Sequence, residues 1–229
     1  MNSIFMSRFE GQGSQDYDSR IQKLIPGYSL LQQLTAAKLQ SLFQSSANFL
    51  IVGAGTGSET ITLAKTNPLW TFMALDISED MLKIAQQNFA NKNLQHRVKI
   101  HHGEISTLAS DILFDAAICL FVMHFLPHNG EKHDFLLALN QKLKPGCFLF
   151  IADLMKPLSA LERRSQAMMS QQLGLTPEKS QQMLERLDSD FYPLSQSEFE
   201  HLANKTYFAK PIQYFQAFGF HAHMLKNIA

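Results

Sequence analysis

The feature that most constrains the fold is a buried strand that ends in a glycine-rich turn and leads directly into a helix. The continuous apolar run Phe49–Val52 is typical of a strand buried on both faces of a parallel sheet. Gly53, Gly55 and Gly57 interrupt this run, and a helical pattern of apolar residues begins at Ile61. Such a turn lets the backbone approach a ligand closely, and the helix N-terminus offers it unpaired N–H groups. The segment therefore predicts an open α/β sheet that binds a nucleotide-like ligand.

An acidic residue at the end of the next strand strengthens this interpretation. Residues 71–75 read as a strand, and Asp76 follows it, nineteen residues after Gly57. A carboxylate at the tip of a second strand can accept hydrogen bonds from both hydroxyls of a ribose. The glycine spacing is G-x-G-x-G, because Ser58 stands where the G-x-G-x-x-G of a dinucleotide site would need its last glycine. The spacing is therefore not that of a dinucleotide site.

This glycine spacing, followed by an acid after the next strand, resembles the class I S-adenosylmethionine-dependent methyltransferases. The resemblance implies an α/β, Rossmann-like seven-stranded sheet with helices on both faces, an antiparallel last strand and a helical lid between strands five and six. It implies a single methyltransferase domain over residues 1–229. Within that domain it implies N-terminal cap helices at 1–45, a cofactor-binding core at 46–153, a lid at 154–205 and a final strand hairpin at 206–229.

The same resemblance implies which residues bind S-adenosylmethionine, whose product would be S-adenosylhomocysteine. The segment Asp-Ile-Ser-Glu-Asp-Met is similar to the second signature of the family, in which Ile77 and Met81 would sandwich the adenine. Glu104 stands where relatives carry an acid that hydrogen-bonds the adenine amino group. The predicted cofactor-binding residues are Gly53, Ala54, Gly55, Gly57, Glu59, Asp76, Ile77, Met81, Gly103, Glu104, Ile105 and Leu120.

The chain departs from the family pattern in the strand before the glycines. Members commonly carry an acid there, which holds the methionine ammonium, whereas Leu50, Ile51 and Val52 supply no carboxylate. Glu59, just inside the following helix, is the candidate replacement. The alternative is that Glu59 merely complements the positive end of the helix dipole.

The acceptor site is predicted less directly. The segment 26–29, Pro-Gly-Tyr-Ser, is similar to the N-terminal region of small class I methyltransferases and of carboxy-S-adenosylmethionine synthases, where it caps the cofactor pocket. Tyr17, Arg20 and Tyr28 are therefore predicted to contact the methionine end or the acceptor. The alternative is two packing tyrosines and a solvated arginine. Asp153 ends the fifth predicted strand on the ligand side and is a further candidate.

His124 is the candidate catalytic acid or base. It lies in a segment that continues beyond the fourth predicted strand and resembles the Leu-His-His-Leu-Pro ending of small-molecule methyltransferases, with Phe125 at the second histidine position. The alternative is a hydrogen-bonded core histidine. The other histidines are not spaced with His124 as a metal site, and no metal is predicted.

Composition bounds the partners and the location. Lys+Arg and Asp+Glu both number 20 and no basic cluster is present, so no nucleic acid is expected as a partner. Cys119 and Cys147 lie in apolar runs and are expected to be buried, reduced thiols. No stretch reaches the roughly eighteen apolar residues of a membrane span, and no secretory signal is visible. We therefore expect a cytoplasmic protein without a membrane partner, and a homodimer stays open.

The leading functional hypothesis is transfer of the sulfonium methyl to a small-molecule acceptor by in-line displacement. Because the donor carries its own leaving group, the protein mainly aligns the two molecules and excludes water, and a strong base is optional. The alternatives are an enzyme similar to carboxy-S-adenosylmethionine synthase, a tRNA-modification enzyme, and a non-catalytic protein that binds an adenosyl ligand.

Overall fold

The structure, a computed structural model, describes residues 9–156 and 159–229. Residues 1–8 of the expected N-terminal cap, and residues 157 and 158 of the expected lid, lie outside the described residues. The helices are α1 (Gln12–Gln15), α2 (Tyr17–Leu24), α3 (Tyr28–Leu42), α4 (Ser58–Thr66), α5 (Glu79–Asn91), α6 (Glu131–Gln141), α7 (Ala160–Gln172), α8 (Pro177–Ser189) and α9 (Gln196–Lys205). The strands are β1 (Ala47–Val52), β2 (Trp70–Asp76), β3 (Val98–His102), β4 (Phe114–Leu120), β5 (Leu143–Lys156), β6 (Leu194–Ser195), β7 (Ile212–Ala217) and β8 (Phe220–Lys226).

One mixed sheet organises the chain, and it confirms the predicted fold class. Its strand order is β3-β2-β1-β4-β5-β8-β7, and β6 pairs with β5 outside this path. Strands β1 to β5 pair in parallel, whereas β8 runs antiparallel to both β5 and β7. The strand order reverses between β1 and β4, which is the place where an open α/β sheet binds its ligand.

Strand β1 explains why helices cover both faces of the sheet. Phe49 and Ile51 belong to one apolar cluster with residues of α2 to α5, while Leu50 and Val52 belong to a second cluster with residues of α6 and α9. Alternate side chains of a strand point to opposite faces, so the unbroken apolar run 49–52 needs cover on both sides.

Local signals predicted several boundaries closely. Strand β4 spans Phe114–Leu120 as expected, and the Ser78 side chain caps α5 by accepting the Met81 N–H at 3.2 Å. The Ser78 hydroxyl satisfies an N–H group that the first turn of a helix leaves without a partner. Helix α5 therefore begins directly after Ser78.

Two boundaries differ from the sequence prediction for reasons that depend on tertiary pairing. The sequence Lys-Pro-Gly at 144–146 is typical of a turn. However, β5 already begins at Leu143, which pairs with Phe114 ahead of an irregularity in the β4–β5 register. The first strand of the final hairpin was expected from Thr206, whereas β7 begins at Ile212. Thr206 instead ends α9, and Tyr207 takes a φ of 61°.

The segment between β5 and β6 contains α7 and α8. That these helices act as a lid stays a prediction. None of the helices in the described ranges is long and apolar enough to cross a membrane. Cys119 is buried as expected, but Cys147 is only half-buried, and both thiols are free.

Candidate functional site

A cavity of about 600 Å³ lies at the carboxyl ends of the parallel strands. A smaller cavity adjoins it at the glycine turn and shares Tyr17, Gly53, Gly55 and Leu120 with it. The predicted residues that line the large cavity are Tyr17, Gly53, Gly55, Asp76, Ile77, Met81, Glu104, Ile105 and Leu120. The smaller cavity adds Tyr28, Ala54 and Glu59. The structure thus brings most of the predicted site together.

The glycine turn serves partly to bring other elements close. Gly53 has a φ of 70°, and a Cβ there would collide with the Val122 side chain beyond β4. Gly57 has a φ of 82°, and a Cβ there would collide with the Phe89 ring. Gly57 and Gly103 do not line either cavity among the described residues. Their predicted cofactor contacts stay predictions. The close packing at Gly53 and Gly57 is a structural reason for glycine at these two positions.

Asp76 connects the glycine turn to the start of α5. Its Oδ2 accepts the Gly55 N–H at 2.8 Å, and its Oδ1 accepts the Ser78 N–H at 2.9 Å. Burial raises the pKa of this carboxyl, and the N–H groups that donate to it partly oppose that rise. Each carboxylate oxygen has lone pairs left, so Asp76 can still accept hydroxyl groups of a ligand in the cavity.

Glu59 is buried beside the glycine turn, and no cation of the described residues pairs with it. Only 7% of its surface is exposed, and its Oε1 has no hydrogen-bond partner. Burial raises the pKa of the carboxyl to about 8. A carboxylate that only complements a helix dipole can do so from an exposed position. Glu59 is instead buried and lines the smaller cavity, which favours a role in ligand binding. The arrangement suits a carboxylate whose cation arrives with a ligand.

The N-terminal helices close the smaller cavity. The Thr56 hydroxyl donates to Asp18 Oδ1 at 2.6 Å, which ties α2 to the glycine turn. Tyr17 lines both cavities and Tyr28 lines the smaller one. Arg20 lines neither; its guanidinium donates to the Gly13 carbonyl at 3.2 Å and lies 6.0 Å from the centre of the Tyr17 ring. Its predicted substrate contact stays a prediction.

His124 and Asp153 lie behind the cavity wall rather than in it. Their side chains are 4% and 5% exposed, and His124 Nδ1 lies 3.0 Å from Asp153 Oδ1. The same oxygen accepts the His124 backbone N–H at 3.0 Å. The His124 ring also packs against Phe125 and Phe191, with ring centres 4.3 and 5.0 Å apart. The assigned roles in catalysis and acceptor binding stay predictions, and this geometry favours the alternative of a core histidine.

The sequence analysis missed several residues of the cavity wall. Phe121, Val122, Phe125 and Leu126 line it from the segment after β4, whose position had been recognised but whose apolar residues had not been assigned. Phe9 also lines it, from the residues ahead of α1, which were not assigned to the site. The Phe9 carbonyl accepts the Ser78 hydroxyl at 2.6 Å. No sequence pattern near Phe9 signals this contact.

The ionisable residues that line the two cavities are acidic, apart from tyrosine. Asp76, Glu104, Glu131 and Asp134 line the large cavity and Glu59 the small one, and no lysine, arginine or histidine lines either within the described ranges. No group of three or more His, Cys, Asp or Glu residues in that part of the chain is arranged to hold a metal ion.

Comparisons with known proteins bear on the family of the chain. Residues 50–149 match the family described as "Methyltransferase domain". A carboxy-S-adenosyl-L-methionine synthase from Ruthia magnifica subsp. Calyptogena magnifica is 30% identical over 93 residues, which cover 40% of this chain and 39% of that protein. A demethylmenaquinone methyltransferase from Lactiplantibacillus plantarum is 33% identical over 115 residues, covering 49% and 47%. The chain thus spans less than half the length of these two curated relatives.

The whole fold has a counterpart among solved structures. Magnesium protoporphyrin IX methyltransferase from Synechocystis PCC 6803, solved with bound S-adenosylhomocysteine, superimposes with a TM-score of 0.72 and 16% identity, covering 98% of this chain and 99% of that one. The family match, the curated relatives and the shared fold confirm the resemblance found in the sequence. Residues 50–149 thus carry a methyltransferase domain, and the findings together indicate a class I S-adenosylmethionine-dependent methyltransferase.

Proposed function

We propose that the protein binds S-adenosylmethionine in the two adjoining cavities and transfers its methyl group to a small-molecule acceptor. The observation that carries the proposal is the buried Glu59 carboxyl, which has an oxygen without a partner beside the glycine turn. An isolated buried carboxyl is costly unless a cation or a hydrogen-bond donor meets it. S-adenosylmethionine supplies a cation there in its α-ammonium group.

The residues of the two cavities would divide the cofactor between them. Asp76 would accept the ribose hydroxyls, and Glu59 would meet the ammonium. Ile77, Met81 and Ile105 offer apolar surface for the adenine ring, with Glu104 beside them for the adenine amino group. The turn through Gly53 and Gly55 would let the backbone lie close to the ligand.

The chain's contribution to catalysis would be alignment and exclusion of water. The bound cofactor supplies an activated methyl group with a built-in leaving group. Tyr17, Phe121 and Phe125 line the large cavity and Tyr28 the small one, and these rings limit access of water. Holding two reactants in line can supply much of the rate enhancement without a catalytic base. We therefore assign no base to this reaction.

A small acceptor is favoured over a nucleic acid by the charge of the cavity lining. Relatives with 31% identity include a tRNA1(Val) (adenine(37)-N6)-methyltransferase from Vibrio vulnificus, matched over 77 residues. A nucleic-acid substrate would need cations near the site, because its phosphates dominate binding. The cavity linings within the described ranges contain no such cation.

The alternative activity, synthesis of carboxy-S-adenosylmethionine, rests on the sequence similarity to that enzyme. It would call for an arginine beside the additional carboxylate. Arg163 instead pairs with Asp188 at 2.6 Å, and no arginine lines either cavity within the described ranges. Mass spectrometry of the adenosyl ligand that copurifies with the protein would distinguish the two activities.

Replacing Asp76 tests the predicted ribose contact. Asp76→Ala should weaken binding of S-adenosylhomocysteine at least about tenfold, because charge-assisted hydrogen bonds contribute about 1.5–3 kcal/mol each. Calorimetric titration measures the change. Asp115→Ala is the matched control, since Asp115 also accepts a backbone N–H, from Asn48 at 2.8 Å. It lies near the amino end of β4, away from the cavity at the carboxyl ends of the strands. Equal affinities in the wild type and Asp76→Ala would exclude the proposed cofactor site.

Replacing Glu59 tests whether its burial serves binding. Its pKa is raised from 4.5 to about 8. Above pH 4.5 the unfolded chain ionises more readily than the folded one, so this carboxyl destabilises the fold increasingly up to about pH 8. At about 1.36 kcal/mol per pH unit, the cost at pH 7 is about 3 kcal/mol. Glu59→Gln should therefore raise the melting temperature of the ligand-free protein and weaken binding of S-adenosylhomocysteine at least about tenfold.

The matched control for this prediction is Glu79→Gln. Glu79 also stands in the first turn of a helix, but its side chain is 65% exposed. This variant should change neither the melting temperature nor the affinity appreciably. If Glu59→Gln behaved like Glu79→Gln in thermal melting and in calorimetry, Glu59 would only complement the helix dipole.

Replacing His124 separates a structural role from a catalytic one. His124→Ala should lower the melting temperature, because it opens a space among buried rings and removes the acceptor of the buried Leu154 N–H. Turnover by the folded fraction with an identified acceptor should fall less than about tenfold. A general base would instead contribute about 10²–10⁴-fold to turnover. A loss of that size in a variant with an unchanged melting temperature would restore the catalytic assignment.

A further inference from the structure

A set of aromatic rings, which we call the aromatic wall, forms part of the large cavity and has no role in the cofactor contacts above. It consists of Phe9, Tyr17, Phe121 and Phe125. The Phe9 ring lies 6.1 Å from Tyr17 and 5.8 Å from Phe125, at nearly a right angle to the latter. These rings come from two separate segments, one that runs from Phe9 to the start of α2 and one after β4. Two distant parts of the chain therefore meet to present flat apolar surface to the cavity.

The aromatic wall is held in place from the cofactor side. Ser78 donates its hydroxyl to the Phe9 carbonyl at 2.6 Å, and its N–H to Asp76 at 2.9 Å. The Gly11 N–H donates to Asp80 Oδ2 at 3.0 Å, which fixes the same segment on α5. On the other side, the Phe125 ring packs on Phe191, with centres 5.1 Å apart. The wall is thus supported by α5 on one side and by the residues after α8 on the other.

The charge of the cavity restricts what can lie against this wall. Besides Tyr17, its ionisable residues in the described ranges are Asp76, Glu104, Glu131 and Asp134, all carboxylates. Lys132 follows the cavity residue Glu131 in the sequence but does not line the cavity. Its side chain is buried and donates to the Met123 carbonyl at 2.6 Å. An anion that entered would lose its hydration without gaining a cationic side chain, and carboxylates would repel it. A cation would be attracted by the carboxylates and by ring faces.

We propose that the methyl acceptor is a planar aromatic molecule, uncharged or cationic, that stacks against Phe9, Tyr17, Phe121 and Phe125. This inference rests on the proposed function, since it concerns the acceptor of that methyl transfer. Aromatic rings bury a large area and favour offset or perpendicular partners, which suits a planar molecule. An acceptor heteroatom bonds to the methyl carbon as the S–CH₃ bond breaks. The electron pair of the broken S–CH₃ bond stays on sulfur, which becomes a neutral thioether. The acceptor proton passes to water.

Probes that differ only in charge test the inference. Tyrosol, tyramine and 4-hydroxyphenylacetate share one phenol ring and carry a neutral, a cationic and an anionic side chain. The same three kinds of substituent on a 6-hydroxynaphthalene ring give a larger series. Each probe is titrated by calorimetry into the full chain with saturating S-adenosylhomocysteine near neutral pH. In at least one series, the neutral and cationic probes should bind at least about tenfold more tightly than the anionic one.

Variants of the wall complete the test. Phe125→Leu should weaken binding of the preferred probes at least about fivefold, since it removes a ring contact, while the affinity for S-adenosylhomocysteine stays the same. Tyr207→Leu is the control for loss of an aromatic ring, because Tyr207 is 57% exposed and lines neither cavity. Binding of the anionic probes as tightly as the others, or binding of no probe in either series, would overturn the inference. Failure of S-adenosylhomocysteine itself to bind would instead refute the proposed function.

Discussion

The Asp76 carboxylate is the interaction on which the site depends most. One of its oxygens holds the N–H of Gly55 in the glycine turn, and the other holds the N–H of Ser78 at the start of α5. Ser78 in turn caps α5 and holds the carbonyl of Phe9. A single side chain therefore fixes the turn after β1, the turn after β2 and, through Ser78, the segment that crosses the cavity. Each carboxylate oxygen accepts one of these N–H groups, so a lone pair on each oxygen remains for a ligand.

The opposite wall of the cavity is formed by the segment after β4, which is fixed by a backbone hydrogen bond and by two buried charged side chains. Phe121 takes a φ of 64°, a conformation that non-glycine residues rarely adopt, and its N–H donates to the Ala152 carbonyl at 2.6 Å. Lys132 donates to the Met123 carbonyl, and Asp153 accepts the His124 N–H. These contacts tie residues 121–124 to β5 and α6. We infer that Asp153 and His124 support the wall, which would explain why they are buried behind it.

The parts of the fold that local pattern determines could be predicted from the sequence. The apolar run of β1, the glycine turn, the Ser78 cap and the carboxylate at the end of β2 each have a signal within a few residues. The early start of β5 could not be predicted, because Leu143 joins the sheet only by pairing with Phe114. The same holds for β6, which exists only by pairing with Met155 and Lys156.

The candidate site shows the same division between local and long-range information. The positions that line the cavity near the glycine turn and Asp76 follow from motif spacing. The burial of Glu59 does not, because an acid in the first turn of a helix is equally consistent with an exposed position, as Glu79 is. The His124 ring is held by the Leu154 N–H, which donates to its Nδ1 at 3.2 Å from 30 residues further along the chain. Phe9 reaches the cavity through a contact with Ser78 across 69 residues, which no local pattern encodes.

The central claim is that Glu59 meets the cationic end of the cofactor, and proton release on binding tests it most directly. Near pH 6.5 a carboxyl with a pKa of about 8 is almost fully protonated in the free protein. The ligand α-amino group, with an ordinary pKa of about 7.7–8.0, is already charged. Titration of S-adenosylhomocysteine in two buffers of different ionisation enthalpy counts the protons exchanged. Release of about 0.9 proton per ligand bound is the predicted result. Binding with no net proton release would contradict the account.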